Sequence, residues 1–159
     1  MSIYLQYPDT KGSISSKGFE GWIEIHSMQK TANRNIAPTE AGRGNDRQRG
    51  TPKFHAVQIT KPIDQSSAKL YQDFATGKVA PKVLVHVTNT DDGLKPYLEY
   101  TLHNVYIGAI DKQIDGVDPH EIVSMSYSKI EERFTGTDSN MRNSSAQSVG
   151  YDAEVGEVM

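Results

Sequence analysis

Lys61-Pro62-Ile63-Asp64-Gln65-Ser66-Ser67-Ala68-Lys69-Leu70-Tyr71-Gln72-Asp73-Phe74-Ala75-Thr76-Gly77 is the stretch on which the fold turns. Asp64 or Ser66 offers an oxygen to the orphan N–H groups of a first helical turn. Leu70, Tyr71, Phe74 and Ala75 recur at helical spacing and predict one apolar face. Gly77 suits the left-handed residue that follows a last turn. Together these predict a helix over about 65–76, roughly three turns at 3.6 residues each.

Outward from that helix the chain reads as strands. Ile3 to Tyr7 is β-prone and stopped by Pro8-Asp9. Trp22 to Met28 alternates, with Ile23 and Ile25 on one face and Trp22, Glu24, His26 and Met28 on the other. Phe54 to Thr60 and Val83 to Val87 are further strands, and Thr90-Asp91-Asp92-Gly93 carries hairpin-turn chemistry. Tyr97 to Ile110 is long. Leu98, Tyr100 and Leu102 share a face, whereas Val105 and Ile107 take the other, so a bulge or a bend round a corner is expected between them. Asp111 to Pro119 is a polar turn. Val123, Met125 and Tyr127 alternate with Ser124, Ser126 and Ser128, and Ile130 to Phe134 extends that strand or forms a last one. The order predicts a mainly β fold: a rolled antiparallel β-barrel or sandwich with one α-helix.

At 159 residues the chain has the length of one domain. Only 36% of it is hydrophobic, so long surface segments must surround a single core. Two such segments stand out, a long extended loop over 30–52 and a polar C-terminal tail over 136–159. The barrel domain then covers 1–135. Residues 136–150 are too polar to fold alone, whereas Tyr151 to Met159 regains apolar residues that suit docking on a partner. The absence of cysteine excludes disulfides, thiolate metal sites and thiol catalysis. No run approaches the ~18 apolar residues of a membrane span. The first residues lack a basic region followed by an apolar one, which predicts no signal peptide.

The loop has a charge of its own. Six positives (Lys30, Arg34, Arg43, Arg47, Arg49, Lys53) face two negatives (Glu40, Asp46) over 30–53, a net of +4. The rest of a chain with net charge −3 therefore carries −7. A basic arm on an acidic body suits contact with another copy. A solvated loop is the plainer alternative. A nucleic-acid-binding module is the alternative from another class, though the arm lacks the interleaved aromatics that stack bases.

Motifs for catalysis or metal binding are incomplete. His120-Glu121-Ile122-Val123-Ser124 begins like a zinc helix, but Ser stands where the second His must be, in strand composition. Asp111, Gln113, Asp115 and Gly116 partly match a calcium loop, whose twelfth position is here Ile122 rather than Glu. There is no G-x-S-x-G elbow and no phosphate loop. No catalytic residue, metal or cofactor is therefore expected, and the chain reads as a non-enzyme.

Several segments, in order, resemble the haemolysin-coregulated protein (Hcp) family, the tube protein of bacterial type VI secretion. They are Ile3-Tyr4-Leu5, Lys17-Gly18 through Gly21-Trp22-Ile23-Glu24-Ile25, and Thr60-Lys61-Pro62-Ile63-Asp64 with Ser66-Ser67-Ala68-Lys69-Leu70. Ala75-Thr76-Gly77-Lys78, Tyr100 to Val105, Glu121 to Glu131 and Gly150-Tyr151-Asp152-Ala153-Glu154 complete the set. Glu132-Arg133-Phe134 departs from the Trp-centred strand end common in the family. The resemblance implies a phage-tail-tube-like barrel with one helix that forms homo-hexameric rings. It implies stacking of those rings into a hollow tube, with a spike protein at its tip, a contractile sheath around it and effector proteins in its lumen. It also implies a protein that is cytoplasmic before firing and then secreted, with no nucleic acid and no membrane insertion in its role.

Within that frame, Arg34, Arg43, Arg47 and Arg49 are candidates for ring-on-ring contact, and Ser124, Ser126 and Ser128 for the lumen wall. Surface ion pairs are worth only ~0–1 kcal/mol each. Ring closure should therefore bury apolar edges and aromatics, over more than ~1,000 Å² in total.

Overall fold

The computed structural model describes residues 1–36, 50–89, 95–137 and 143–159, without the side chains of 137 and 143–145. The strands are β1 (Ser2–Gln6), β2 (Ile23–Ile25), β3 (Ser27–Gln29), β4 (Ala32–Asn33), β5 (Lys53–Phe54) and β6 (Val57–Pro62). After helix α1 (Ser67–Thr76) come β7 (Ala80–Thr88), β8 (Pro96–Gln113), β9 (His120–Ser126), β10 (Lys129–Thr137), β11 (Asn143–Asp152) and β12 (Glu157–Val158). All pairings are antiparallel.

One long strand organises the roll. β8 carries β7 on one edge along its first half. Its other edge carries β10 and then β9, with Lys129 opposite His103 and Ser126 opposite Tyr106. The first half belongs to the run β12-β11-β10-β8-β7-β1-β2, and the second half leads through β9 and β6 to β3. The sheet therefore rolls over a shared core without closing into one ladder. The bend falls at Asn104, whose φ of +51° is left-handed. Asn is one of the few residues that tolerates this region. One residue so placed shifts the side-chain phase, so Leu102 and Val105 are both fully buried although three apart. The expected phase switch is this bend, followed by a bulge at Gly108.

Trp22 to Met28 is not one strand. It breaks at His26, whose N–H donates to Thr60 O at 2.8 Å. The break reverses the alternation, so Met28 packs against the core instead of sharing an outer face with Glu24. The polar residues 143–152 pair along β10, with Tyr151 opposite Ile130. Composition gave no sign of this strand, because a ladder is made by backbone groups that every residue has. The Thr90 to Gly93 turn lies outside the described residues, although the hairpin β7–β8 that it was expected to join is present.

The helix matches its predicted span but not its predicted face. Gly77 (φ +67°) and Lys78 donate to Phe74 O and Asp73 O, closing the helix as a Schellman motif. Asp64, not Ser66, supplies the side-chain oxygen at the start, accepting from Ser66 N at 2.9 Å. The buried residues are Ser67, Leu70 and Asp73. Tyr71, Phe74 and Ala75 are exposed.

Candidate assembly surfaces

The helix is held by a buried ionic cluster. Lys61 on β6 and Glu121 on β9 are both fully inaccessible, and they face each other because those strands pair in that register. Lys61 Nζ lies 2.5 Å from Glu121 Oε1 and donates also to Pro62 O, Asp64 Oδ1 and Ser67 Oγ at 2.9, 3.1 and 3.2 Å. Ser67 Oγ donates to Glu121 Oε1 at 2.7 Å and accepts from Asp64 N at 3.0 Å. A buried ammonium with this coordination needs no further ligand. The cluster ties the first turn of α1 to two strands and sets which side of the helix faces inward. Lys112 adds a second cation 3.8 Å from Glu121 Oε2 and lies 5.3 Å over the Tyr71 ring.

This geometry gives Glu121 a structural partner in Lys61 and leaves His120 with Asp118 O as its hydrogen-bond partner, at 2.9 Å. Asp115, in the calcium-like segment, accepts from Val117 N and Asp118 N. Those two N–H groups hold its carboxyl below the usual range. Among the described residues no group of three His, Asp or Glu could hold a metal ion.

Ser124 and Ser126 lie on the outer face of β9, opposite the buried Val123 and Met125. Gln58 and Ala109 flank Ser124, and Tyr106 stands opposite Ser126. Ser128 is not in this row. It sits past the end of β9, where its Oγ accepts from Asn104 Nδ2 at 3.0 Å and pins the bend of β8. Arg34 is exposed just past β4. Arg43, Arg47 and Arg49 lie outside the described residues.

The root of the arm is anchored. β4 pairs β5, with Ala32 opposite Phe54. Phe54 stacks on Tyr151 of β11 with centroids 4.1 Å apart, and Tyr127 donates its hydroxyl to His55 O at 3.1 Å. Lys30 pairs with Glu132 at 3.0 Å and lies 5.2 Å over the Tyr100 ring. Neither the anchoring by Tyr151 nor the ionic cluster was legible in the sequence. The Thr-Lys-Pro-Ile-Asp segment and Glu121 drew notice there, but 60 residues separate the lysine from its carboxylate.

A second feature lies on the outer face of β7, β8 and β10. Leu84, His86, Glu99, Glu131 and Arg133 line an open groove of about 570 Å³. Trp22 packs 4.9 Å from the His86 ring, and burial lowers the His86 pKa against the opposing pull of Glu99 at 3.5 Å. No described helix is long and apolar enough to cross a membrane.

Comparisons with known proteins agree with this architecture. The family model for the type VI secretion system effector Hcp matches residues 4–134. A solved type six secretion system protein superposes with a TM-score of 0.90 at 15% identity, over 99% of both chains. Hcp1 from Salmonella typhimurium superposes with a TM-score of 0.80 at 19% identity, over 99% of this chain and 98% of its own. A type VI secretion system effector from Yersinia pestis gives 0.71 at 16% identity, over 94% and 98%. No curated protein sequence matches at a comparable level. The family match spans most of the chain and the rolled sheet with helix α1 is the fold of these structures, so the chain belongs to the Hcp family of type VI secretion tube and effector proteins.

Proposed function

We propose that this chain is a tube subunit: six copies close into a ring, and rings stack into a hollow tube that a contractile sheath expels behind a spike protein, with effectors in the lumen. The observation that supports this best, beside the family, is the sheet made by β3, β6, β9 and the second half of β8. Among the described residues β3 pairs with β6 alone, and β8 beyond Val105 pairs with β9 alone. Two unpaired edges on one sheet are an association hazard unless neighbours cover them. Different edges meeting head to tail close a ring.

The outer face of that sheet carries the polar side chains of Gln58, Ser124 and Ser126 beside the half-exposed Tyr106, and its polar members suit a wet wall. In this reading Ser124 and Ser126 face the lumen, and Ser128 serves the bend. Arg34, Arg43, Arg47 and Arg49 reach the acidic body of the next ring. Light scattering across concentration tests the ring, since a clean monomer would overturn it. In assembled tubes, a bulky label on Ser126→Cys should block cargo loading, and unchanged loading removes the lumen assignment. Replacing Arg43, Arg47 and Arg49 by Ala should dissolve stacks in electron micrographs at physiological salt.

A further inference from the structure

The outer face of β3, β6, β9 and the second half of β8 is almost free of charge. Residues on these paired strands alternate between the core and this face. Gln29, Gln58, Ser124 and Ala109 stand side by side across it, and Ser126 stands opposite Tyr106. The face carries no Lys or Arg, and Asp111 is its one carboxylate. His120 lies at the strand ends, with Nδ1 against Asp118 O. Lys61, Lys112 and Glu121 sit on the same strands but turn the other way, to the ionic cluster. The outer face of β7, β10 and the first half of β8 is the opposite case, with Lys82, His86, Glu99, Lys129, Glu131 and Arg133 in neighbouring positions.

The charge-free face also has relief. Tyr106 is 49% exposed. Two residues on, at the bulge, a Cβ on Gly108 would meet nothing closer than Ser124 O and Ser126 Oγ, each at 4.0 Å. Gly108 and Ala109 therefore leave a step beside Tyr106. The side chains of Gln58, Ser124, Ser126 and Tyr106 make no hydrogen bond among the described residues. Each can both donate and accept, so together they match backbone amides and neutral polar side chains. An exposed tyrosine among serine and glycine is the chemistry of polypeptide-binding surfaces. The ring supplies contact area at little entropic cost, and the small polar groups adapt. A nucleic-acid backbone would find no cation here. A ring closed through the two unpaired edges of this sheet leaves the face open, so a second copy does not cover it.

We propose that this face binds polypeptide through uncharged groups. Tyr106 is the anchor, the Gly108–Ala109 step receives an apolar side chain, and Gln58, Ser124 and Ser126 bond the flanking backbone. The occupant is an extended, uncharged segment of a cargo protein. The proposal rests on the tube reading, which places the face in the lumen, and adds that cargo is read by hydrogen bonding and stacking, not by net charge.

A random peptide library selected on the full-length protein, with counter-selection against Tyr106→Ala, tests this. Fluorescein-labelled peptides that emerge are titrated by anisotropy. They should be uncharged, and their affinity should change less than about twofold between about 50 and 500 mM NaCl, because salt screens only charges. Gly108→Val fills the step and should weaken binding about tenfold, whereas Lys82→Ala on the charged face should not. Circular dichroism checks the fold of each variant. Failure to enrich any peptide, enrichment of strongly charged peptides, unchanged affinity in Gly108→Val, or oligo-dT binding that Tyr106→Ala abolishes would overturn the proposal. Light scattering on the unsubstituted protein separates the two readings. An assembled mass without peptide binding leaves the tube and removes this face. A monomer that binds keeps the face and removes the lumen, and a monomer that does not bind removes both.

Discussion

Replacing Lys61 by Met keeps the length and bulk of the side chain and removes one buried charge. Lys61 Nζ has four oxygen partners and no solvent contact, and Glu121 opposite is equally buried. Without the ammonium, Glu121 Oε1 keeps the Ser67 hydroxyl, Oε2 has no hydrogen bond among the described residues, and Lys112 stays 3.8 Å away. Stranding one member of a buried pair costs about 3–5 kcal/mol. Lys112, partly solvated, offsets only a fraction of this. Lys61→Met should therefore cost about 3 kcal/mol or more in urea unfolding at pH 7, read by the single tryptophan at one fixed protein concentration. Adding Glu121→Gln removes the stranded charge while keeping an acceptor for Ser67, and should restore about 2 kcal/mol. The reasoning is refuted if Lys61→Met costs under about 1 kcal/mol, or if the double variant is no more stable than the single one.

A Cβ at Gly12 would lie 2.5 Å from Ile23 Cα and 2.6 Å from the Trp22 carbonyl carbon. Those are backbone atoms that cannot swing aside, so Gly12→Ala should cost about 3 kcal/mol, with loss of the Trp22 fluorescence environment; a cost near zero would contradict this packing. Burial, then Asp73, pushes the Tyr7 hydroxyl up to about 12, and burial, then Glu132, does the same for Tyr100. Both ionise near 10 when unfolded, so the stability they hold below pH 10 should be lost as pH rises through 12. Spectrophotometric titration should show part of the tyrosine absorbance change delayed until alkaline unfolding. His86 is shifted the other way, down, by burial. Its contribution is present above the unfolded value near 6.5 and is lost as pH falls from there through the folded value. In His86→Gln that segment of the stability–pH curve should flatten, and an unchanged curve would remove His86 as its source.

Much of the architecture was legible along the chain because it is local. The helix over Ser67–Thr76, its Gly77 stop and the phase switch in Tyr97 to Ile110 are written in side-chain spacing, and spacing follows from 3.6- and 2-residue geometry. The phase switch told that β8 bends, though not that Asn104 is the hinge. The family resemblance drew on the Thr60 to Leu70 segment without saying what it does. That segment works by meeting Glu121, a contact that exists only once β6 pairs with β9.

What the sequence determined alone is the helix α1, the apolar strands such as β1, β6, β7 and β9, and the charge contrast between arm and body, since these depend on neighbours a few residues apart. Tertiary structure decided the rest. It buried Asp73 and exposed Tyr71, because the Lys61–Glu121–Ser67 cluster sets the helix rotation more firmly than an apolar stripe does. It made a strand of polar residues 143–152, because β10 offered an open edge to any backbone. It moved Ser128 from the row of Ser124 and Ser126 to the bend, because Asn104 turns the chain there. Each of these outcomes joins residues distant in the chain, and one-dimensional periodicity carries no information about which distant groups meet.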